Sequence, residues 1–94
     1  MTVNKVELSV SELVNKIARA LVDRPEEVSV NVTSGKEGTV LRLKVHPSDT
    51  GLVIGKEGRI ARSLRTIVGA VGVKLKHRYS LEIQDPRDHS SEEK

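Results

Sequence analysis

Gly55 and Gly58 stand three apart, with Lys56 and Glu57 between them, the apolar run Leu52-Val53-Ile54 before them and Arg59 directly after. Glycine has no Cβ, so a loop carrying two of them can take dihedrals closed to other residues and let a second molecule approach its backbone. Such a loop at the start of a helix also aims free N–H groups outward, where the helix dipole favours an anion. A phosphodiester backbone is one such anion. The tetrapeptide alone proves little, because Gly35-Lys36-Glu37-Gly38 repeats it letter for letter. The surroundings of each copy must decide its role.

Other chemistries fit these residues poorly. Gly51 to Glu57 approaches the nucleotide-binding pattern G-x-x-x-x-G-K-[ST], but it is one residue short and carries Glu where the magnesium-holding hydroxyl belongs. His46, His77 and His89 are scattered and cysteine is absent, so no metal site is expected. The lack of cysteine also removes disulfides and a thiolate nucleophile. Asp49, Glu57 and Glu82 have no nucleophile to act on as acid or base. Neither an enzyme nor a cofactor is expected.

Charge gives the partner its sign. Residues 40–84 carry nine basic and three acidic side chains, net +6, against net −1 for 1–39 and net −2 for 85–94. Positive charge is thus concentrated in the half that holds the second glycine pair, as an anionic partner requires. Ninety-four residues make one domain. Its core must be aliphatic, since Phe and Trp are absent and Tyr79 is the sole aromatic. No apolar run approaches the roughly 18 residues of a membrane span, and the first residues do not begin a signal peptide, so a soluble cytoplasmic protein is expected.

The elements that must position the loop follow from periodicity. Residues 9–22 repeat Val10, Leu13, Val14, Ile17, Ala18, Leu21 and Val22 at three-four spacing, an amphipathic helix with Ser9 and Glu12 at capping-box spacing or Ser11 as cap. Pro25 stops it. Val28, Val30 and Val32 alternate with polar residues, as do Leu41, Leu43 and Val45, giving two strands. The first glycine pair lies between them and reads as a β-hairpin turn, its glycines supplying positive φ. A helix then starts at Pro47-Ser48-Asp49, with Ser48 or Asp49 as cap, and ends before Gly55. After Gly58, Ile60, Ala61, Leu64, Ile67, Val68 and Val71 form one helical face, and Arg59, Arg62 and Arg65 another. Gly72 is the expected end of that helix, and a third strand is expected to run from Val73 to Ile83.

In this frame the Gly55–Gly58 loop joins two helices docked on a three-stranded sheet. It would hold a sugar-phosphate backbone while bases lie in an aliphatic groove of Val53, Ile54 and Ile60. Arg59, Arg62 and Arg65 would meet phosphates. Ile54 and Ile60 suit a core equally well.

The order helix–strand–strand–helix–GxxG–helix–strand resembles the type II KH domain, an α+β fold whose three-stranded sheet is covered by helices on one face. The segment from Val45 to Arg59, continued by Leu64-Arg65-Thr66-Ile67, is similar to the small bacterial single-domain KH RNA-binding proteins of the KhpA type. The resemblance covers residues 8–84. It makes 1–84 a KH domain, followed by a polar tail, 85–94, expected to be disordered. It implies single-stranded RNA binding at Ile54, Gly55, Lys56, Gly58 and Arg59, with the loop clamping roughly four nucleotides. It further implies RNA-chaperone or post-transcriptional regulatory work, as a homodimer or beside a second KH-containing partner. Glu57 departs from the basic or neutral residue common in such loops. The rival reading is a KH-fold interaction or dimerisation module of a ribonucleoprotein or ribosome-associated assembly. Without an aromatic to stack bases, a lone domain is expected to bind weakly and with little sequence preference.

Overall fold

A computed structural model of the chain describes residues 2–84, with side chains from residue 10 onward. The elements are α1 (Thr2–Leu21), β1 (Ser29–Gly35), β2 (Gly38–Lys44), α2 (Thr50–Ile54), α3 (Arg59–Leu75) and β3 (Tyr79–Ile83). Short 3-10 turns at Pro25–Glu27, Pro47–Asp49 and Lys56–Gly58 join them. The order is the one periodicity implies, and the architecture is the α+β arrangement of a type II KH domain. The expected tail, 85–94, lies outside the described residues.

The sheet runs β1-β2-β3, with β1 antiparallel and β3 parallel to β2. Register pairs Val30 with Leu43 and Val32 with Leu41, then Leu41 with Leu81 and Leu43 with Ile83. Directly paired residues share a face, so these apolar side chains all turn to the same side. There they meet Val10, Val14 and Ala18 of α1, Val53 of α2, and Leu64 and Val68 of α3 in one aliphatic core. Each Leu or Val fully buried in it stabilises the fold by roughly 1.5–3 kcal/mol. The opposite face is polar, and there Arg42 donates to Glu82 at 3.0 Å in an exposed ion pair. A parallel β3 requires the chain to cross back over the sheet, and α2 and α3 make that crossing. The loop between them is consequently held at the far end of β2 from the hairpin.

Several boundaries differ from expectation for local reasons. α1 begins at Thr2, seven residues before the proposed Ser9 cap. Val3, Val6 and Val10 continue the apolar spacing upstream, and no glycine or proline interrupts residues 2–21. The first glycine pair is a hairpin turn, Gly35 pairing with Gly38, but only Gly38 has a positive φ, +130°. A Cβ there would sit 2.5 Å from the Arg78 carbonyl oxygen, so close approach of β3 also demands glycine. α3 runs through Gly72 to Leu75 and ends at Lys76 in the left-handed conformation, φ 57° and ψ 42°. Gly72 instead admits the returning chain, since a Cβ on it would lie 2.5 Å from the His77 carbonyl. Val73 and Leu75, expected in the third strand, are therefore helical, and β3 is the shorter for it.

Candidate nucleic-acid interface

The loop between α2 and α3 is built from unusual backbone. Gly55 has φ 80° and ψ 173°, Glu57 φ 58° and ψ 25°, and Gly58 φ 75° and ψ 16°. An L-residue visits the left-handed region as a rare single residue, and Glu57 does so between the glycines. Gly55 has a second constraint: a Cβ would lie 2.7 Å from Ile60 Cγ1 and 2.9 Å from Ile60 N. The two glycines thus have different duties, Gly55 fitting against the first turn of α3 and Gly58 reversing the chain where a Cβ would meet only Arg62 Nη2, at 3.8 Å. Gly55 N donates to the Gly51 carbonyl at 2.8 Å and Gly58 N to the Gly55 carbonyl at 3.1 Å, which fixes both ends of the turn. α3 starts with no side-chain cap, leaving its dipole uncovered beside the exposed Lys56 and Glu57.

The three arginines of α3 do not share one task. Arg62 Nη2 donates to the Glu57 carbonyl at 2.8 Å and braces the loop from within. Arg65 Nε donates to the Leu81 carbonyl at 3.1 Å, joining α3 to β3. Arg59, at the mouth of the loop, is exposed and has no hydrogen-bonding side-chain partner among the described residues. Arg62 and Arg65 thus each spend one donor on a carbonyl, whereas Arg59 spends none among the described residues. Spacing gave the direction of the three side chains but not the carbonyls two of them would meet.

The apolar groove residues also separate. Val53 is fully buried in the core, so its proposed contact with a base is corrected to a structural role beneath the loop. It lies on the inner side of a one-turn helix that packs against α1 and α3. Ile54 and Ile60 are half-buried, packed against the core with part of each surface open beside Gly55.

Two residues that position the loop escaped sequence reasoning. His46 Nδ1 accepts from Ser48 N at 3.1 Å and lies 2.8 Å from Ser48 Oγ, so His46 caps the 3-10 turn leading into α2, while Asp49 stands at the N-cap position of α2 without a side-chain capping bond. Asp49 is buried, and its Oδ2 accepts from Arg24 N at 2.9 Å, tying the entrance of α2 to the turn after α1. The local signal for the cap was a histidine directly before Pro47 and two before a serine. The Asp49 contact spans 25 residues and leaves no local trace.

Charge around the loop is one-sided. Of the three acids in 40–84, Asp49 is buried and Glu82 is paired with Arg42, so Glu57 alone of the three is exposed without a partner among the described residues. At the other end of α3, the exposed Lys74, Lys76 and Arg78 gather beside the hairpin, where Thr39 N donates to the Arg78 carbonyl at 2.8 Å. His77 Nε2 lies 2.7 Å from Thr39 Oγ1 and the His77 ring meets Tyr79 edge-on, while Tyr79 itself is buried. A seventeen-residue helix is about 25 Å long, and that separates the two ends.

Comparison with known proteins agrees with this fold. A family model described as KhpA/KhpB, KH domain, matches residues 11–83. The chain is 51% identical over 72 residues to the RNA-binding protein KhpA of Clostridium perfringens, covering 77% of this chain and 96% of that one. It is 53% identical over 74 residues to the protein of the same name from Treponema pallidum, covering 79% and 92%. The namesake from Borreliella burgdorferi is 47% identical over 74 residues, covering 79% and 90%. Among solved structures, a variant of Aquifex aeolicus Era bound to GDP and AlF4− superposes with a TM-score of 0.54 at 18% identity. That match spans 83% of this chain and 30% of the other, and it concerns the fold alone.

Proposed function

The chain belongs to the KhpA/KhpB KH-domain family, and from that premise we propose that it binds single-stranded RNA, holding the sugar-phosphate backbone at loop 55–58. The observation that carries this reading is the loop itself: left-handed backbone at Glu57 and Gly58, no Cβ at either glycine, and an uncapped α3 behind it. Lys56 and Arg59 supply charge to the phosphates, Arg62 holds the loop in shape, and Ile54 and Ile60 offer aliphatic surface to the bases. The activity is binding without catalysis, in the cytoplasm, serving RNA-chaperone or post-transcriptional regulatory work. No described helix is long and apolar enough to cross a membrane.

A second copy of the chain, or a second KH-bearing protein, completes the working unit. Support for this comes from Leu52, Ile67 and Val73, whose exposures of 40%, 44% and 80% are high for aliphatic side chains. The decisive experiment follows backbone amide resonances while a short single-stranded RNA is titrated in. Residues 54–62 are expected to shift most. Shifts confined to β1 or to the polar face of the sheet would overturn the proposal.

A further inference from the structure

We propose that Arg65 reads a base, and that the base it takes is one presenting two adjacent hydrogen-bond acceptors, guanine or cytosine. The inference rests on the RNA-binding reading above and adds a specificity residue to it. Its starting point is the outer edge of β3. Thr39 N donates to the Arg78 carbonyl at 2.8 Å and Gln84 N to the Leu43 carbonyl at 2.9 Å, so Arg78 and Gln84 face β2. In a parallel ladder the facing residues alternate, which turns Ser80 and Glu82 toward β2 as well. Leu81 and Ile83 therefore aim their N–H and C=O groups away from β2, along an edge where the sheet has no further strand among the described residues.

Arg65 occupies that edge. Its Nε is spent on the Leu81 carbonyl at 3.1 Å, a partly buried contact that orients the guanidinium. Its two terminal nitrogens have no protein partner among the described residues. On the same strand edge the next outward group is the Ile83 N–H. All of these are donors, and they lie on the flank of α3 that begins at Arg62 and the loop. A nucleotide chain held at the loop and following α3 brings its bases to this edge.

The two terminal nitrogens of Arg65 select by complementarity. Guanine offers O6 and N7 side by side, and an arginine fork meets that pair more often than any other base edge. Cytosine offers O2 and N3. Uracil puts its N3–H between its two carbonyls, and adenine puts its amino group beside the ring nitrogens, so each would face a donor with a donor. A guanidinium held by its Nε also differs from a phosphate-steering cation, because that bond favours one orientation before the ligand arrives.

The test uses the full chain and four heptauridine-based RNAs whose central base is G, C, A or U. Fluorescence anisotropy is expected to give the G and C RNAs about tenfold tighter binding than the A and U RNAs. Arg65→Lys keeps the charge and a donor for Leu81 but loses the fork, and should bring that ratio close to one. Equal weakening of all four by the substitution, an unchanged ratio, or no preference in the unsubstituted protein would each overturn the assignment. Failure of all four RNAs to bind would instead remove the RNA-binding reading beneath it. If Arg65→Lys melts at low temperature, the unsubstituted protein decides by NMR. Its Arg65 Nε–H resonance must then move with the G heptamer and stay in place with heptauridine, and equal movement would contradict the proposal.

Discussion

Gly55 and Gly58 look interchangeable in the sequence, yet they meet different surroundings. Gly55 combines φ 80° with ψ 173°, a combination essentially confined to glycine, and has no room for a Cβ beside Ile60. Gly58 is an ordinary left-handed residue whose nearest neighbour to a Cβ, Arg62 Nη2, is 3.8 Å away on a flexible side chain. Gly55→Ala is therefore expected to destabilise the fold by about 3 kcal/mol, strain and overpacking combined. Gly58→Ala should cost about 1 kcal/mol, the strain alone. Denaturant unfolding of both variants measures the difference. Equal losses would mean that the contact between Gly55 and Ile60 does not constrain the loop.

At the scale of elements, what was legible in the sequence had a period. Alternating Val30, Val32, Leu41, Leu43 and Leu81 gave strands and faces that the register bears out, because a sheet with one buried face fixes register strongly. The crossover after Gly58 and its buried Leu64 and Val68 were legible in the same way. Element ends were harder, because they depend on partners distant in sequence. Val73 and Leu75 alternate with lysines as a strand would, but the backbone of α3 closes over Gly72 and carries them into a last helical turn. The arginines were legible as a stripe, while the carbonyls of Glu57 and Leu81 that engage two of them were not. The end of α3 offers a test of this account. Lys76 holds the left-handed position where glycine usually stands. Lys76→Gly removes strain of roughly 1–2 kcal/mol and adds unfolded-state entropy, so a net gain of about 0.5–1 kcal/mol is expected. A raised midpoint of denaturant unfolding with unchanged slope would record it, and a lowered midpoint would count against the cap assignment.

Over the whole molecule, attraction for RNA comes from a basic half built around a loop that contains one exposed acid. Lys56, Arg59 and Arg62 surround Glu57, and Lys74, Lys76 and Arg78 lie at the other end of α3. With few phosphates met at once and Tyr79 buried, a single domain should bind weakly, and joining two domains should raise affinity by a factor of about 100 or more. Titrating one short RNA against the single chain and against a flexible tandem fusion measures that gain. The salt dependence gives the number of phosphates met, the logarithm of affinity falling by about 0.7 per phosphate for each tenfold rise in salt. The central claim is that place, rather than composition, makes loop 55–58 the RNA site, and the chain carries its own control. The same four residues at 35–38 form a hairpin turn whose glycine serves the sheet. The most direct measurement is RNA affinity after Lys56→Asp with Glu57→Asp, set against Lys36→Asp with Glu37→Asp. The account predicts that the first pair abolishes binding with the fold intact and that the second leaves affinity within about threefold, since an exposed charge beyond a Debye length is largely screened. Equal losses from the two pairs, or binding that survives the first, would contradict it.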